Sequence, residues 1–383
     1  MRGDISRRTL LRNGGIGLVA MSSAGLAGCT SSLPVVGDDG ASGPAVDRWL
    51  VDLSFADLFD EDELTDEYDD AELEGYDRTG FEFDTVVPQA VFDNEEELVV
   101  YWPLEQGSEL RSTAGVAATD LDWELTQRVE WEYDVSYTRE TWDGTQSSED
   151  ERSASIDIGT LAGTFAPADV EESLEDWAED RSVEDAELSS EGEYEGFDLY
   201  AFEGYAFGVS EAYVVRVAGS QPLDSLEALE AVIDVQTTSV GGLSETDDGD
   251  ALLAQFESAH LASGELHEPR SVESEIERQY GDIDDVPEWQ RDDLEEEFED
   301  RLDDWELGLV GSASAYEFDG DTTDVHEVYL YETQSDADAG ELRAHVESNR
   351  DITDQWATIE ELSIDDAGRA LVLSGRVRTR ALL

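Results

Sequence analysis

A chain with 97 Asp and Glu residues against 22 Arg and no Lys meets its own repulsion whenever it compacts. Compositions of this kind usually stay disordered, because too little apolar surface is available to offset the cost of ordering. Here the same chain carries 9 Trp, 13 Tyr and 12 Phe and is 39% hydrophobic, which is enough for a sizeable core. The two facts are compatible only in a solvent that removes the repulsion. At molar salt the Debye length falls to about 3 Å, so neighbouring surface carboxylates scarcely sense one another. The sequence therefore implies a folded protein working in concentrated salt. Dispersed arginines in so negative a field cannot neutralise phosphates, which excludes nucleic acid as a partner. Anionic lipid headgroups are repelled for the same reason.

The first 28 residues have a different character. Arg7 and Arg8, in the pattern Ser-Arg-Arg-x-x-Leu, precede an apolar run from Gly14 to Gly28 that is too short and too rich in Gly, Ala and Ser to span a bilayer stably. Leu26, Ala27, Gly28 and Cys29 follow. The arginine pair resembles a twin-arginine export motif, and the tetrapeptide resembles a lipobox, in which small residues admit a lipoprotein peptidase and the thiol takes the lipid. Cys29 is the sole cysteine, so no intramolecular disulfide can form, and no basic neighbour in sequence would activate its thiol. Two lipid chains on one residue give durable anchoring. The expectation is a signal peptide over 1–28 and a mature chain held by Cys29 on the outer face of the cytoplasmic membrane. Its partners during export are the Tat translocase and the lipoprotein-processing machinery. Removal of the leader takes four arginines and one aspartate with it and leaves the remainder more acidic still.

Residues 29–47 have the Ser, Gly, Pro and Asp of a flexible tether. Apolar residues spaced among acids from Trp49 to Gly80 predict short helices, and Phe81 to Val87 alternates as a strand. Trp123, Leu125, Val129, Trp131, Tyr133, Val135 and Tyr137 fall at even spacings, with Glu124, Glu130, Glu132, Asp134 and Ser136 among them, the pattern of a long half-buried strand. A strand from about Ile156 to Phe165, a helix opened by Pro167, two further strand segments and a helix from Leu223 to Val235 follow. The C-terminal part repeats the order with strands at Leu307–Phe318 and Asp324–Glu332, a helix at Ala337–Asn349, and strands near Ala357–Ile364 and Ala370–Arg378. Between them, Asp285, Pro287 and Glu288 read as the capped start of a helix with Leu294, Phe298, Leu302 and Trp305 on one stripe. The predicted class is α+β, with antiparallel sheets bearing helices on one face and a weak internal repeat of β-β-α-β-β units. The predicted organisation is an α+β domain over 48–265, an acidic helical insertion over 266–305 and a C-terminal α+β unit over 306–383 packed on the preceding domain.

Chemistry-bearing motifs are scarce. The sequence contains no Gly-x-Ser-x-Gly elbow, no His-Glu-x-x-His, no phosphate-binding Walker loop and no dinucleotide-binding glycine motif ahead of a helix. His260 and His267 are seven apart, a same-face helical spacing, but Gly264 and the loop-like run around it break the pattern. His326 lies mid-strand and reads as an outward residue. Asp319, Asp321 and Asp324 lie between two alternating strands. They read as a hairpin turn whose side chains bond the local backbone, or as a weak Ca²⁺ or Mg²⁺ site built from hard oxygen ligands. No other cofactor is implied and no catalytic residue stands out.

The leader, the phrases "GEYEGFDLYAF" and "SASAYEFDGDTTDVHEVYLYE", and the closing "ELSIDDAGRALVLSGRVRT" together resemble a group of haloarchaeal Tat-exported lipoproteins of uncharacterised function. The resemblance implies a lipid-anchored extracytoplasmic protein of a halophilic archaeon, and it carries over no catalytic residue. The expected function is a non-catalytic envelope binding or interaction module with an envelope protein as its partner. A solute-binding lipoprotein of a transporter and an extracytoplasmic hydrolase using carboxylates are the alternatives.

Overall fold

The computed structural model describes residues 48–60, 69–98, 109–141, 144–181, 187–238, 240–255, 259–280, 286–299, 301–349 and 359–382. The leader residues Arg7, Arg8, Leu26, Ala27 and Gly28, the lipidation candidate Cys29 and the tether 29–47 lie outside them, as does Asp285.

The strands are β1 (Asp69–Val86), β2 (Leu121–Thr141), β3 (Gly144–Gly163), β4 (Ser189–Tyr194), β5 (Phe197–Phe202), β6 (Tyr205–Val209), β7 (Tyr213–Gly219), β8 (Leu261–Leu266), β9 (Leu309–Asp319), β10 (Thr322–Tyr331), β11 (Glu360–Ala367) and β12 (Ala370–Arg378). They form one twelve-stranded sheet in the order β11-β12-β10-β9-β8-β1-β2-β3-β7-β6-β5-β4, and every pairing is antiparallel. The α+β class and the antiparallel pairing are those the sequence predicts. A single sheet replaces several because β8 pairs with β1 on one side and β9 on the other. It thereby carries hydrogen bonding straight through the boundary expected at 265/266.

Helices lie over both faces, and the strands show why. In β7, Val214 and Val215 are both fully buried and, as strand neighbours, point to opposite sides. Val215 joins the larger core, with Trp49 to Leu58, helix α1 (Phe55–Leu58) within that segment, and Ala228, Leu229, Val232 and Ile233 of a later helix, Ser225–Thr238. Val214 joins a second cluster under Leu110 of the short helix Glu109–Thr113 and Val170 and Leu174 of the helix Pro167–Arg181. A third cluster, on the same face as the second, sets Leu342 and Val346 of the helix Ala339–Asn349 against Val325, Tyr329 and Tyr331 of β10. The helices therefore occupy two faces rather than one.

Both halves share the order strand, strand, helix and a closing strand that returns beside the second, β7 beside β3 and β12 beside β10. The N-terminal half holds one additional hairpin. The region 266–305 builds its own small core from Val272, Ile276, Val286, Leu294 and Phe298. Its second helix stops at Glu299, so Trp305 leaves the expected stripe and packs with Tyr329 and His345 instead.

Candidate functional site

The face that carries the Pro167–Arg181 and Ala339–Asn349 helices is capped by apolar contacts beneath each of them and, at the end of β1, beneath the helix Pro88–Asp93, which packs with Val86 and Phe318, and the strands between present polar side chains. Register sets this up. Glu82 and Asp84 of β1 alternate with buried Phe81, Phe83 and Thr85 and so share the opposite face. Glu82 pairs with Arg128 of β2 and Glu265 of β8, and Asp84 with Thr126 and Ser263. Glu265 and Ser263 continue to Ser312 and Ser314 of β9, and these to Tyr329 and Glu327 of β10. Two parallel rows thus cross the sheet, Asp157, Arg128, Glu82, Glu265, Ser312, Tyr329 and, beside it, Thr126, Asp84, Ser263, Ser314, Glu327.

The middle of the band is open and its ends are closed. Asp84 is exposed, and Glu82, Thr126, Arg128, Ser263, Glu265 and Ser312 are half-buried. At one end Arg128 donates from Nη1 to both carboxylate oxygens of Asp157 at 2.9 Å, from Nε to Glu130 at 2.7 Å and from Nη2 to Ser155 at 3.3 Å. At the other, Glu327 is only 1% exposed and accepts a hydrogen bond from the Tyr329 hydroxyl. Burial first, then the Glu327 charge, pushes the phenols of Tyr329 and Tyr316 above their ordinary range, so both stay protonated. Ser312 donates to Glu265 Oε1 at 3.2 Å. Glu82 and Glu265 stand directly opposite each other, a like-charge pairing that costs stability unless a cation, salt or ligand offsets it.

Carboxylates and hydroxyls on paired strands can exchange hydrogen bonds with a ligand. A serine nucleophile needs a base within hydrogen-bonding reach; the Ser312 hydroxyl has the Glu265 carboxylate there, and the histidines lie elsewhere. His326 neighbours Glu327 in sequence and therefore projects to the other face, where Ser374 and Ala315 are its cross-strand partners. It is half-buried, not fully outward. His260 accepts from the Phe318 N–H at 2.9 Å, and His345 pairs with Asp303 at 3.0 Å. His260 and His267 flank β8, a real strand where a loop is expected, so they sit about 20 Å apart and cannot share a metal.

The aspartate cluster is a hairpin turn. Asp319 pairs with Thr322 across Gly320 and Asp321, and Gly320 takes the positive φ of +63° that the tight turn requires. Asp324 accepts from Nε and Nη2 of Arg376, each at 2.6 Å, and the Asp321 carbonyl accepts from the Thr379 N–H. Of the two readings of Asp319, Asp321 and Asp324, the hairpin turn is the one formed, with the Asp324 carboxylate engaged by the Arg376 guanidinium. Among the described residues no group of three or more His, Cys, Asp and Glu side chains is placed to hold a metal ion. No described helix is long and apolar enough to cross a membrane. Sequence reading misses the polar band entirely, since its only local signal is the polar alternation of Glu82 and Asp84, and its other half depends on β8.

No protein-family model matches the chain, and no curated protein is similar to it. Among solved structures, TP0453 in crystal form III is similar, with 8% identity over 79% of this chain and 91% of that one and a TM-score of 0.37. Crystal forms I and IV of TP0453 give TM-scores of 0.34, with 8% and 9% identity over 79% of this chain and 90% of that one.

Proposed function

We propose that this chain is a lipid-anchored, non-catalytic binding module of a halophilic cell envelope, and that the polar band is its binding surface. The supporting observation is the open floor of Glu82, Asp84, Ser263, Glu265 and Ser312 between two helix-capped apolar patches of one face. An uncapped, half-buried stretch of carboxylates and hydroxyls on rigid strands suits a ligand rich in hydroxyl or ammonium groups, because such groups donate to these acceptors. Anchoring through Cys29 and export through the Arg7–Arg8 motif belong to the same reading and rest on the leader sequence.

A photo-crosslinking residue placed at Ser263 tests the reading in intact cells at their growth salt, with the same residue at exposed Glu191 of β4 as control. Discrete adducts at 263 that are absent at 191, and that Asp84→Arg removes without shifting the melting temperature, are the expected result. Identical adducts at both positions, or none at 263, would overturn the assignment of the band. Turnover of ester, peptide, glycoside or phosphate substrates, abolished by Glu265→Gln in a folded variant, would replace the binding module with the hydrolase.

A further inference from the structure

We infer that the occupant of the polar band is a free, sugar-sized polyol and not a folded protein. The inference rests on the band being the binding surface and adds the kind of ligand it takes.

Three sides of the band are walled. Beyond Thr126 the next residue of the row is Gly159 of β3, and Leu110 of the helix Glu109–Thr113 lies over it, with Cδ2 only 3.2 Å from where a Cβ would stand. The same helix reaches back over β2, where Arg111 pairs with buried Glu124 at 2.8 Å. Beyond Asp84, Ser263 and Ser314 the strands run on to Val86, Leu261 and Tyr316, which cluster with Ala90 and Val91 of the helix Pro88–Asp93. Beyond Ser312 comes Tyr329 of β10, clustered with Leu342 and Val346 of the helix Ala339–Asn349. The fourth side is the way in. It lies over the cross-strand pair Gly80 and Glu130, both only half-buried.

Size decides between a protein and a small molecule. The floor spans the four strands β2, β1, β8 and β9 and two rows of side chains, about 14 Å by about 7 Å, or about 100 Å². A stable protein partner covers about 800 Å² on each side. Helices are about 10 Å thick, so a folded surface rests on their rims and does not reach the half-buried groups beneath. One or two sugar rings fit the floor.

Chemistry narrows the class further. An anion meets Glu82, Asp84 and Glu265, and the nearby cation, Arg128, already donates to Asp157, Glu130 and Ser155. An apolar molecule would leave half-buried acceptors unmatched. At molar salt the Debye length is about 3 Å, so attraction to an ammonium is screened as thoroughly as repulsion among the carboxylates. Directional hydrogen bonds then set the preference. An ionised carboxylate offers about four acceptor positions, so Glu265 can hold Ser312 and still accept from a ligand. Neighbouring hydroxyls of a polyol can donate together to one carboxylate, while Thr126 and Ser263 can both donate and accept.

The photo-crosslinking residue, placed at Ser263 and separately at Thr126, is activated in intact cells at growth salt, and the purified full chain is weighed by intact-mass spectrometry. The expected increment at both positions is discrete, a few hundred daltons, with the fragments of a hydroxyl-rich molecule. Asp84→Leu, which removes an exposed acceptor, should reduce the increment severalfold without moving the melting temperature. A protein-sized increment, a ladder spaced by single sugar units, a small increment from an anionic, apolar or hydroxyl-free molecule, or an increment that Asp84→Leu leaves unchanged would overturn the free polyol while leaving the band as the binding surface. No increment at either position beyond that seen at exposed Glu191 would remove the band, and the polyol with it.

Discussion

His326 lies in the middle of β10, and burial pushes its imidazole down to about 4. Its Nδ1 has no hydrogen-bond partner among the described residues. The nearest charged pair along the same face, Asp324 with Arg376, is already matched. An unfolded histidine titrates near 6.5, so between about pH 6.5 and 4 the unfolded chain takes up a proton that the native state refuses. Stability from the neutral ring is thus present above that window and lost as pH falls through it, by about 3 kcal/mol in all. His326→Gln should remove this component. Chemical denaturation of parent and variant in molar NaCl at pH 7, 5.5 and 4 should show their stabilities converging, or crossing in favour of the variant, as the pH falls. A gap independent of pH would mean that the ring is equally accessible to protons in both states. Neither the ring's burial nor the capture of Asp324 by Arg376 was legible in the sequence, because both depend on β12 lying beside β10, fifty residues away in the chain.

Elements divide into those with a clean period and those whose period is broken by geometry. β2 was legible because Leu125, Val129, Trp131, Tyr133 and Val135 alternate with acids and are all buried. The first half of β1 reads as helical in the sequence because register shifts at Asp69/Glu72, Leu73/Gly75 and Arg78/Gly80 interrupt the alternation. β8 resembles a loop in sequence because of its small residues, yet these are what its position demands. A Cβ on Gly264 would come within 2.4 Å of the Phe83 ring and 3.0 Å of the Ala313 methyl, so the central strand must be thin there. The polar band inherited this gap, since Ser263 and Glu265 belong to β8. The two edges were easier to understand. β4 is exposed along nearly its whole length and carries Glu191 and Glu193, and β11 carries Glu360, Glu361, Asp365 and Asp366. Charges on edge strands deter pairing with another copy. Replacing both β4 carboxylates, Glu191→Val with Glu193→Val, should produce concentration-dependent association in molar salt, seen by light scattering. A strictly monomeric double variant at high concentration would show that the charges do not guard this edge.

For the molecule as a whole, the net charge of −75 is spread over a fold whose apolar clusters run across nearly the full sheet. Ion pairs such as Arg111 with Glu124 and Arg216 with Glu109 use cations that are too few to balance the carboxylates. Unfolding should therefore be cooperative in molar NaCl or KCl, and that cooperativity should vanish on dialysis to about 0.1 M, where the screening length rises to about 10 Å. An unchanged melting curve across this range would mean that the core alone holds the fold. The place of β8 has a further consequence, for kinetics. The middle of the sheet closes only when Leu261–Leu266 slots between β1 and β9, across a separation of roughly half the chain. Such distant pairings make folding slow, because the intervening segment must lose its freedom before any contact rewards it. Until that strand is synthesised and docked, β1 offers a bare, hydrophobic hydrogen-bonding edge, so a growing chain is most open to misassembly in the interval before residue 266 emerges.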